Sequence, residues 1–276
     1  MDGARHGRAI HVGPAGHRVI LATTAASRSS RSTLRALAIS SGKQMNIMDV
    51  YACSPALARY EQEALFGKVW SRAGLSRRDR SIVTLAAVIT QGRIDALPFY
   101  ANFALDHGVT PKEMSEIVTH LAFYAGWCKG TTAAATVGRV FAERAIGEDQ
   151  LPGESPALMP LDMQAEEKRA QAVEQMVGTT SAGLVADTGE VLFRNLWLRP
   201  DLSPRDRSLV TVASLITAGH FAQVTFHLNK AMDNGLQPDE VSEVVSHLAY
   251  YAGWPNAFSA VPVVRSVLES RAGSHA

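Results

Sequence analysis

Three residues whose side chains could do chemistry lie close together in the second half of the chain, at His220, Gln223 and His227. Gln223 and His227 are four positions apart, so on a helix they would share one face and could hold one ligand. Histidine titrates near neutral pH and is therefore suited to proton delivery. His220 follows a glycine, where it could face a cavity or solvent. The alternative interpretation is a structural histidine beside polar residues of an exposed face.

The segment that carries these residues is one copy of an internal repeat. Leu202–Arg271 aligns with Leu75–Arg144 at a constant offset of 127 positions (202 − 75) without a gap, and 33 of the 70 aligned positions are identical. Such self-similarity indicates a duplicated structural unit. Function should therefore depend on what the copies share and where they differ. At the position of His227, the first copy has Tyr100.

Capping signals and apolar spacing predict that each copy is a group of helices. Ser76 and Ser203 each stand three positions before an aspartate, which places an acceptor and a negative charge in the first turn of a helix. Gly92 and Gly219 are suited to left-handed caps at the ends of these helices. No stretch alternates with period two, so we predict an all-α architecture. The first two predicted helices of each copy span Ser76–Thr90 and Ile94–Asp106, and Ser203–Thr217 and Phe221–Asp233.

Composition divides the chain into four predicted parts. They are an extension over 1–44, a first domain over 45–146, a linker rich in proline and glycine over 147–160, and a second domain over 161–271. The extension has many arginines and serines with Asp2 as its only acid, which is typical of a transit peptide. The alternatives are disorder, or an overlong gene start with translation beginning at Met45 or Met48.

Bulk composition limits the classes of partner. The formal net charge of +1 gives no reason to expect nucleic acid or an anionic membrane as a partner. No run approaches the roughly 18 apolar residues of a membrane helix. Two cysteines, Cys53 and Cys128, cannot form a disulfide framework and indicate a reducing cytoplasm. We expect a small-molecule substrate.

Four motifs of this chain resemble those of the carboxymuconolactone decarboxylase family, which includes the alkylhydroperoxidase-like proteins. They are Asp-Arg-Ser-Ile/Leu-Val-Thr from Asp79 and Asp206, a glycine (Gly219) eight residues before His227, an Asp-x-Gly, and EVVSHLAYYAGWP from Glu243. The resemblance covers roughly 60–145 and 185–271. It implies an all-α, alkylhydroperoxidase-like fold with two tandem homologous helical domains as an internal pseudo-dimer, and a homotrimer of such chains.

The peroxidase branch of this family uses a Cys-x-x-Cys thiol relay, which ends in a disulfide. At the matching positions this chain has Arg93 and Ala96 in the first copy and His220 and Gln223 in the second. Cys128 has no partner in sequence. A peroxidase that depends on Cys128 is therefore the alternative, not the leading hypothesis.

The resemblance to the decarboxylase branch implies a lyase that needs neither metal nor organic cofactor, and a role in the catabolism of aromatic compounds. Its substrate is a lactone acid that loses carbon dioxide and is reprotonated at carbon. His227 occupies the family's histidine position, while Gln223 stands where a glutamate is common. We therefore predict catalytic roles for His227, His220 and Gln223, and substrate binding by Arg207, Trp254, Tyr251 and Tyr100.

Other interpretations of these residues remain open. Arg207 could form a structural salt bridge, and a non-catalytic ligand-binding or assembly protein is a third hypothesis for the whole chain. Glu116 and His120 stand one turn apart on the third helix, a spacing that invites a metal site. A di-iron bundle needs Glu-x-x-His and further glutamates. We therefore expect no metal and an intrahelical hydrogen-bonded pair.

Overall fold

A computed structural model of the chain describes residues 51–273, and the predicted extension over 1–44 lies outside the described residues. The described part contains helices and turns but no strand, so the predicted all-α fold is confirmed. From Pro55 onward the described residues form one compact unit. Within residues 51–273 no helix combines the length and the apolar character needed to cross a membrane.

The helices follow the predicted order in both copies. The first half of the described chain contains α1 (Pro55–Tyr60), α2 (Arg77–Thr90), α3 (Leu97–Asp106), α4 (Pro111–Tyr124) and α5 (Trp127–Glu143). The second contains α6 (Met163–Val177), α7 (Ala182–Asp187), α8 (Pro204–Ala218), α9 (Phe221–Asp233), α10 (Pro238–Tyr251) and α11 (Trp254–Gly273). Short π-helical and 3-10 turns lead into each repeat at Glu61–Phe66 and Val69–Ser71, and at Thr188–Phe193 and Leu196–Leu198.

Local signals set the ends of α2 and α8 as the sequence predicts. The hydroxyl of Ser76 accepts from the backbone N–H of Asp79 at 3.0 Å, and Ser203 accepts from Asp206 at 3.1 Å. Gly219 caps α8 in the left-handed conformation, with φ at 76°. A residue with a Cβ is strained there, so glycine lets the chain turn sharply into α9.

Helices α2 and α8 form the centre of the molecule, where they pack against each other. Nearly every residue of both helices is buried, as the apolar sequence predicts. The hydroxyls of Thr90 and Ser214 meet across this contact at 2.8 Å. In addition, α4 of the first repeat packs on α8, and α10 of the second packs on α2. The two repeats thus exchange their third helices, which makes the predicted internal pseudo-dimer.

A buried ion pair joins the repeats at each of these exchanged contacts. Arg207, completely buried on α8, donates to Glu116 of α4 at 3.0 Å and to the carbonyl oxygen of Arg199 at 3.0 Å. Glu116 also accepts from Arg199 at 2.8 Å. A buried charge is tolerated only when it is paired and hydrogen-bonded, so these residues fix one relative position of the repeats.

The pseudo-symmetric pair is more open to solvent. Arg80 donates to Glu243 at 2.9 Å and to the carbonyl oxygen of Arg72 at 2.8 Å. The side chain of Glu243 is 13% exposed, whereas that of Glu116 is fully buried. Water can therefore solvate one of the two carboxylates but not the other.

This difference predicts unequal effects of two matched substitutions. We expect Glu116→Gln to lower the free energy of unfolding by about 3–5 kcal/mol, because it leaves the buried charge of Arg207 without a counter-ion. Glu243→Gln should cost less, since its carboxylate already contacts solvent. Urea unfolding of both variants measures the difference. Equal losses would contradict the proposed dependence on burial.

Candidate functional site

His227 lies on α9 at the boundary between the repeats and is 8% exposed. Its ring is stacked on Trp197, with centroids 5.8 Å apart and planes inclined by 14°. The edges of Tyr124 and Phe226 complete its surroundings at 5.3 Å and 5.0 Å. Tyr124 belongs to the first repeat, so both repeats build the environment of this histidine.

The wall that faces His227 is held by a hydrogen-bonded network. Trp197 Nε1 donates to the hydroxyl oxygen of Tyr124 at 2.9 Å. The ring of Tyr124 stacks on His120, whose Nε2 is 2.7 Å from the hydroxyl of Thr211. Because that hydroxyl donates to the carbonyl oxygen of Arg207, it accepts from His120. Nδ1 of His120 accepts from the guanidinium of Arg207 at 3.4 Å, so His120 is neutral with its proton on Nε2. The ring of His120 in turn positions Tyr124.

Lys230 stands one turn after His227 and was not among the predicted site residues. Its Nζ lies 5.0 Å from the centroid of the Trp197 ring, a cation–π contact. Within the described part of the chain it makes no ion pair shorter than 4 Å. Burial lowers the pKa of the ammonium group below its ordinary value. The site thus contains a cation whose charge no carboxylate neutralises directly.

The same surroundings keep His227 neutral. Burial, and then the charge of Lys230, lower the pKa of His227 from 6.5 to about 4. Its Nδ1 is buried and has no hydrogen-bond partner among the described residues. At neutral pH the free protein therefore presents a neutral imidazole with an unused nitrogen. A bound anion would stabilise the protonated form and make the ring an acid.

The pseudo-symmetric position has the same frame but different chemistry. Trp70 Nε1 donates to the hydroxyl oxygen of Tyr251 at 2.9 Å, and Tyr251 meets Tyr100 edge to face at 5.5 Å. Phe103 occupies the position of Lys230. Burial raises the pKa of both tyrosines. Tyr100 and Tyr251, predicted as substrate-binding residues, therefore belong to this second cluster and not to the environment of His227.

The other predicted residues lie outside the immediate surroundings of His227. His220 and Gln223 are exposed at the start of α9, and no hydrogen bond joins Gln223 to His227 among the described residues. Trp254 is 52% exposed and contacts the ring of Tyr250 at 4.9 Å. Gln223 and His227 are on one helix with the predicted spacing, but only His227 is buried at the interface between the repeats. Gln223 is exposed to solvent.

Arg207 and the Glu116–His120 pair have partners in the fold. Arg207 is fully buried against Glu116, so a substrate could reach its guanidinium only by displacing that carboxylate. The predicted intrahelical bond between Glu116 and His120 is replaced by bonds to Arg207 and Thr211 of the other repeat. Over residues 51–273 no group of three or more potential ligands is placed to hold a metal ion.

Two clefts lie elsewhere on the described surface. One, of about 230 Å³, is lined mainly by apolar residues of the first repeat with Cys128, Lys129 and Arg93 at its edge. The other, of about 520 Å³, follows α6 and includes Glu166 and Arg194. His227 lines neither cleft. The ring of His227 is thus nearly closed off, and Phe226, whose ring contacts it, is 47% exposed.

Both copies match one known protein family. The profile of the carboxymuconolactone decarboxylase family matches residues 55–138 and 184–266. The chain belongs to the carboxymuconolactone decarboxylase family. The first matched segment contains Tyr124 and the second contains His227, so the candidate site lies between two family domains. The predicted family is confirmed, and so is the duplication.

Two curated relatives have decarboxylase names. The chain is 35% identical over 86 residues to 4-carboxymuconolactone decarboxylase of Acinetobacter baylyi. The aligned segment covers 31% of this chain and 64% of the relative. It is 41% identical over 64 residues to nitrosuccinic acid decarboxylase of Metarhizium robertsii, which covers 23% of this chain and 45% of the relative. Each match spans less than two thirds of the relative's own length.

Comparison of the two copies contains the signal for the residues that sequence reasoning missed. At the offset of 127, Lys230 stands against Phe103, just as His227 stands against Tyr100. These are changes from neutral aromatic residues to groups that carry or exchange protons. Trp197 and Tyr124 give no such signal, because their counterparts Trp70 and Tyr251 are identical in type.

The buried histidines predict a loss of stability in acid. Burial lowers the pKa of His227 to about 4 and that of His247 to about 3, and it holds that of His120 well below the ordinary value. Since the unfolded chain then binds more protons, stability is complete above pH 6.5 and is lost as the pH falls from 6.5 towards 4. His227 alone should account for a loss on the order of 3 kcal/mol in the free energy of unfolding over this pH range.

Urea unfolding between about pH 7 and pH 4 measures this dependence. We expect His227→Gln to have a smaller slope of unfolding free energy against pH than the wild type, because Gln binds no proton in either state. An unchanged slope in this variant would contradict the low pKa of His227.

Proposed function

We propose that this chain is a cofactor-independent decarboxylase of a small anionic lactone or another enolisable acid, with His227 as the proton donor. The observation that carries the proposal is a histidine in an aromatic enclosure built by both repeats, with a buried nitrogen left without a partner. The names of the two relatives support the class of reaction.

In the proposed reaction the bond between the carboxylate carbon and its neighbour breaks, and carbon dioxide leaves. The electron pair moves into the conjugated carbonyl group of the substrate, which becomes enolate-like. His227 takes up a proton from solvent when the anionic substrate binds, and the imidazolium then donates that proton to carbon and returns to the neutral ring. The apolar rings of Trp197 and Phe226 exclude water, which would otherwise solvate the leaving carboxylate. The side chain of Phe226 must move to admit the substrate.

The remaining predicted residues take secondary places in this proposal. His220 and Gln223 are exposed at the start of α9 and would meet the substrate at the entrance. Tyr100 and Tyr251 lie in the pseudo-symmetric cluster. Trp254 lies on the surface, and Arg207 is in the buried ion pair. We assign them no direct part in the chemistry at His227.

The test is release of carbon dioxide from 4-carboxymuconolactone and from nitrosuccinate by the wild type and by His227→Ala. We expect the variant to lose at least about a hundredfold in turnover, the usual contribution of a positioned general acid. His107→Asn is the matched control. It removes a half-buried histidine of the first repeat and introduces Asn, which stands at the equivalent position 234 and hydrogen-bonds Ser208 at 2.9 Å.

The control should keep wild-type turnover. Wild-type turnover in His227→Ala would remove this histidine from the mechanism. Failure of the wild type to release carbon dioxide from either acid or related lactone acids would contradict the proposed reaction and favour the non-catalytic alternative.

We further propose that three chains form a homotrimer that acts in the cytoplasm, on a small molecule rather than on nucleic acid or membrane. Exposed tryptophans recur at equivalent positions of the repeats, where Trp127 is 64% exposed and Trp254 is 52% exposed. The second repeat adds Phe258 on α11, which is 70% exposed. Exposed apolar groups of this size favour association. The two cysteines of the chain support a reducing compartment.

Light scattering coupled to size exclusion tests the assembly. We expect a trimeric mass for the wild type and a smaller species for Trp127→Ser combined with Phe258→Ser. Met176→Ser, which removes an 80% exposed side chain from α6, is the control and should remain trimeric. A monomeric wild type at micromolar concentration would contradict the proposal.

A further inference from the structure

Two buried polar atoms near the paired rings of Trp197 and Phe193 have no hydrogen-bond partner among the described residues. One is Nδ1 of His227, and the other is Nη1 of Arg169. Arg169 is 9% exposed, so water does not replace the missing acceptor freely. Buried polar groups are nearly always paired, and an exception marks a place where a ligand atom would be stabilising.

The paired rings connect these two atoms to Lys230. The guanidinium carbon of Arg169 lies 4.6 Å from the centroid of Phe193, which stacks on Trp197 at 5.7 Å with planes 8° apart. Lys230 Nζ lies 5.0 Å from the ring of Trp197, and the ring of His227 lies 5.8 Å from it. The charge of Arg169 is close enough to act on Lys230. Two cations and one imidazole thus border one pair of aromatic rings.

Positive charge exceeds negative charge here. Arg169 donates to both oxygens of Glu166, at 2.7 Å and 2.9 Å, and Arg194 donates to the same carboxylate at 3.0 Å. Lys230 makes no ion pair within 4 Å in the described part of the chain. Two arginines therefore share one carboxylate, and Lys230 has no direct counter-ion in the described part of the chain.

The nearby aspartates offset this excess only in part, because they attract Lys230 from beyond ion-pair distance and each has another partner. Asp162 accepts from the backbone N–H groups of Gln164 and Ala165 at the start of α6. Asp233 pairs with Arg271 at 2.8 Å. The region beside His227 therefore attracts an anion.

We propose that Arg169 and Lys230 form an anion-binding subsite beside His227 that holds a carboxylate, or another anionic group, which the substrate keeps after carbon dioxide has left. The inference rests on the proposed function for the identity of the ligand as an organic acid. Arg169 would offer its unpaired Nη1–H and Lys230 its ammonium group, both charge-assisted donors. The anion would also supply the negative charge that His227 needs to become protonated.

The retained group is the better partner for these cations than the leaving carboxylate. The leaving group loses its charge as it becomes carbon dioxide, so cations bound to it would stabilise the substrate more than the transition state. A retained anion keeps its charge throughout and anchors the substrate while the aromatic rings surround the reacting bond. The substrate class is therefore an acid with a second anionic group.

The first repeat lacks this subsite. Phe103 replaces Lys230, and its ring packs on Trp70 at 4.8 Å. Tyr100 replaces His227. We therefore expect one anion site for each chain, although the frame is duplicated.

Titration with succinate, a dicarboxylate that this reaction does not consume, tests the subsite by calorimetry. We expect one site per wild-type chain and binding at least about tenfold weaker in Lys230→Met and in Arg169→Met, since each loses a charge-assisted hydrogen bond. Lys230→Arg keeps the charge and should retain binding. Lys168→Met is the control for Arg169→Met, because it removes an exposed cation from the neighbouring position of α6 and should bind succinate as the wild type does.

A second readout follows the ring protons of His227 by NMR. The titratable neighbours of His227 are Lys230 on its own helix and His120 and Tyr124 on α4. Loss of the Lys230 charge in Lys230→Met should raise the pKa of His227 from about 4 towards its ordinary value. Succinate should raise it in the wild type. If Lys230 had a purely structural role, succinate would not raise the pKa of His227 in the wild type.

The outcomes separate this inference from the proposed reaction. Wild-type affinity for succinate in folded Lys230→Met, two equal sites per chain, or no binding to the wild type would overturn the subsite even if His227→Ala abolishes carbon dioxide release. Weak binding in Lys230→Met with no carbon dioxide release from any acid would support the subsite and contradict the reaction.

Discussion

The buried ion pair between Arg207 and Glu116 is the constraint on which the candidate site depends. Glu116, His120 and Tyr124 are spaced four residues apart, so they lie on one face of α4. Once Glu116 is fixed against Arg207, His120 must meet Thr211 and Tyr124 must meet the ring of His227. A change at the ion pair should therefore displace the wall of the site. This wall lies about 12 Å from the ion pair along the helix, at 1.5 Å per residue.

The duplication conserves this frame and changes the side that faces a ligand. Glu243, His247 and Tyr251 repeat the same spacing on α10 and make the equivalent contacts with the first repeat. The two clusters differ on α3 and α9, where Tyr100 and Phe103 in one become His227 and Lys230 in the other. One cluster is thus closed by neutral aromatic packing. In the other, the same shape contains a proton-exchanging group and a cation.

Sequence alone predicts the elements well, because their ends depend on local signals such as the cap at Ser76 and the left-handed turn at Gly219. It does not predict which helices meet across the repeats. Glu116 and His120 are correctly placed one turn apart, yet each bonds the other repeat instead of its neighbour. The sequence predicts that Tyr251 binds the same substrate as His227, whereas exchange of the third helices takes Tyr251 to the other cluster.

The electrostatics of the site explain why a histidine can remain so deeply buried. An imidazolium ion beside Lys230 would place two positive charges in an apolar enclosure, so His227 is neutral and the fold is not penalised at neutral pH. The same enclosure becomes favourable to charge when an anion enters, because a negative group near Lys230 offsets the repulsion that lowers the histidine pKa. Protonation of His227 is thereby coupled to binding. In the proposed reaction, an acid that forms only with its substrate present avoids the cost of a permanently buried charge. The position of Lys230 one turn after His227 on the same helix brings the two groups together.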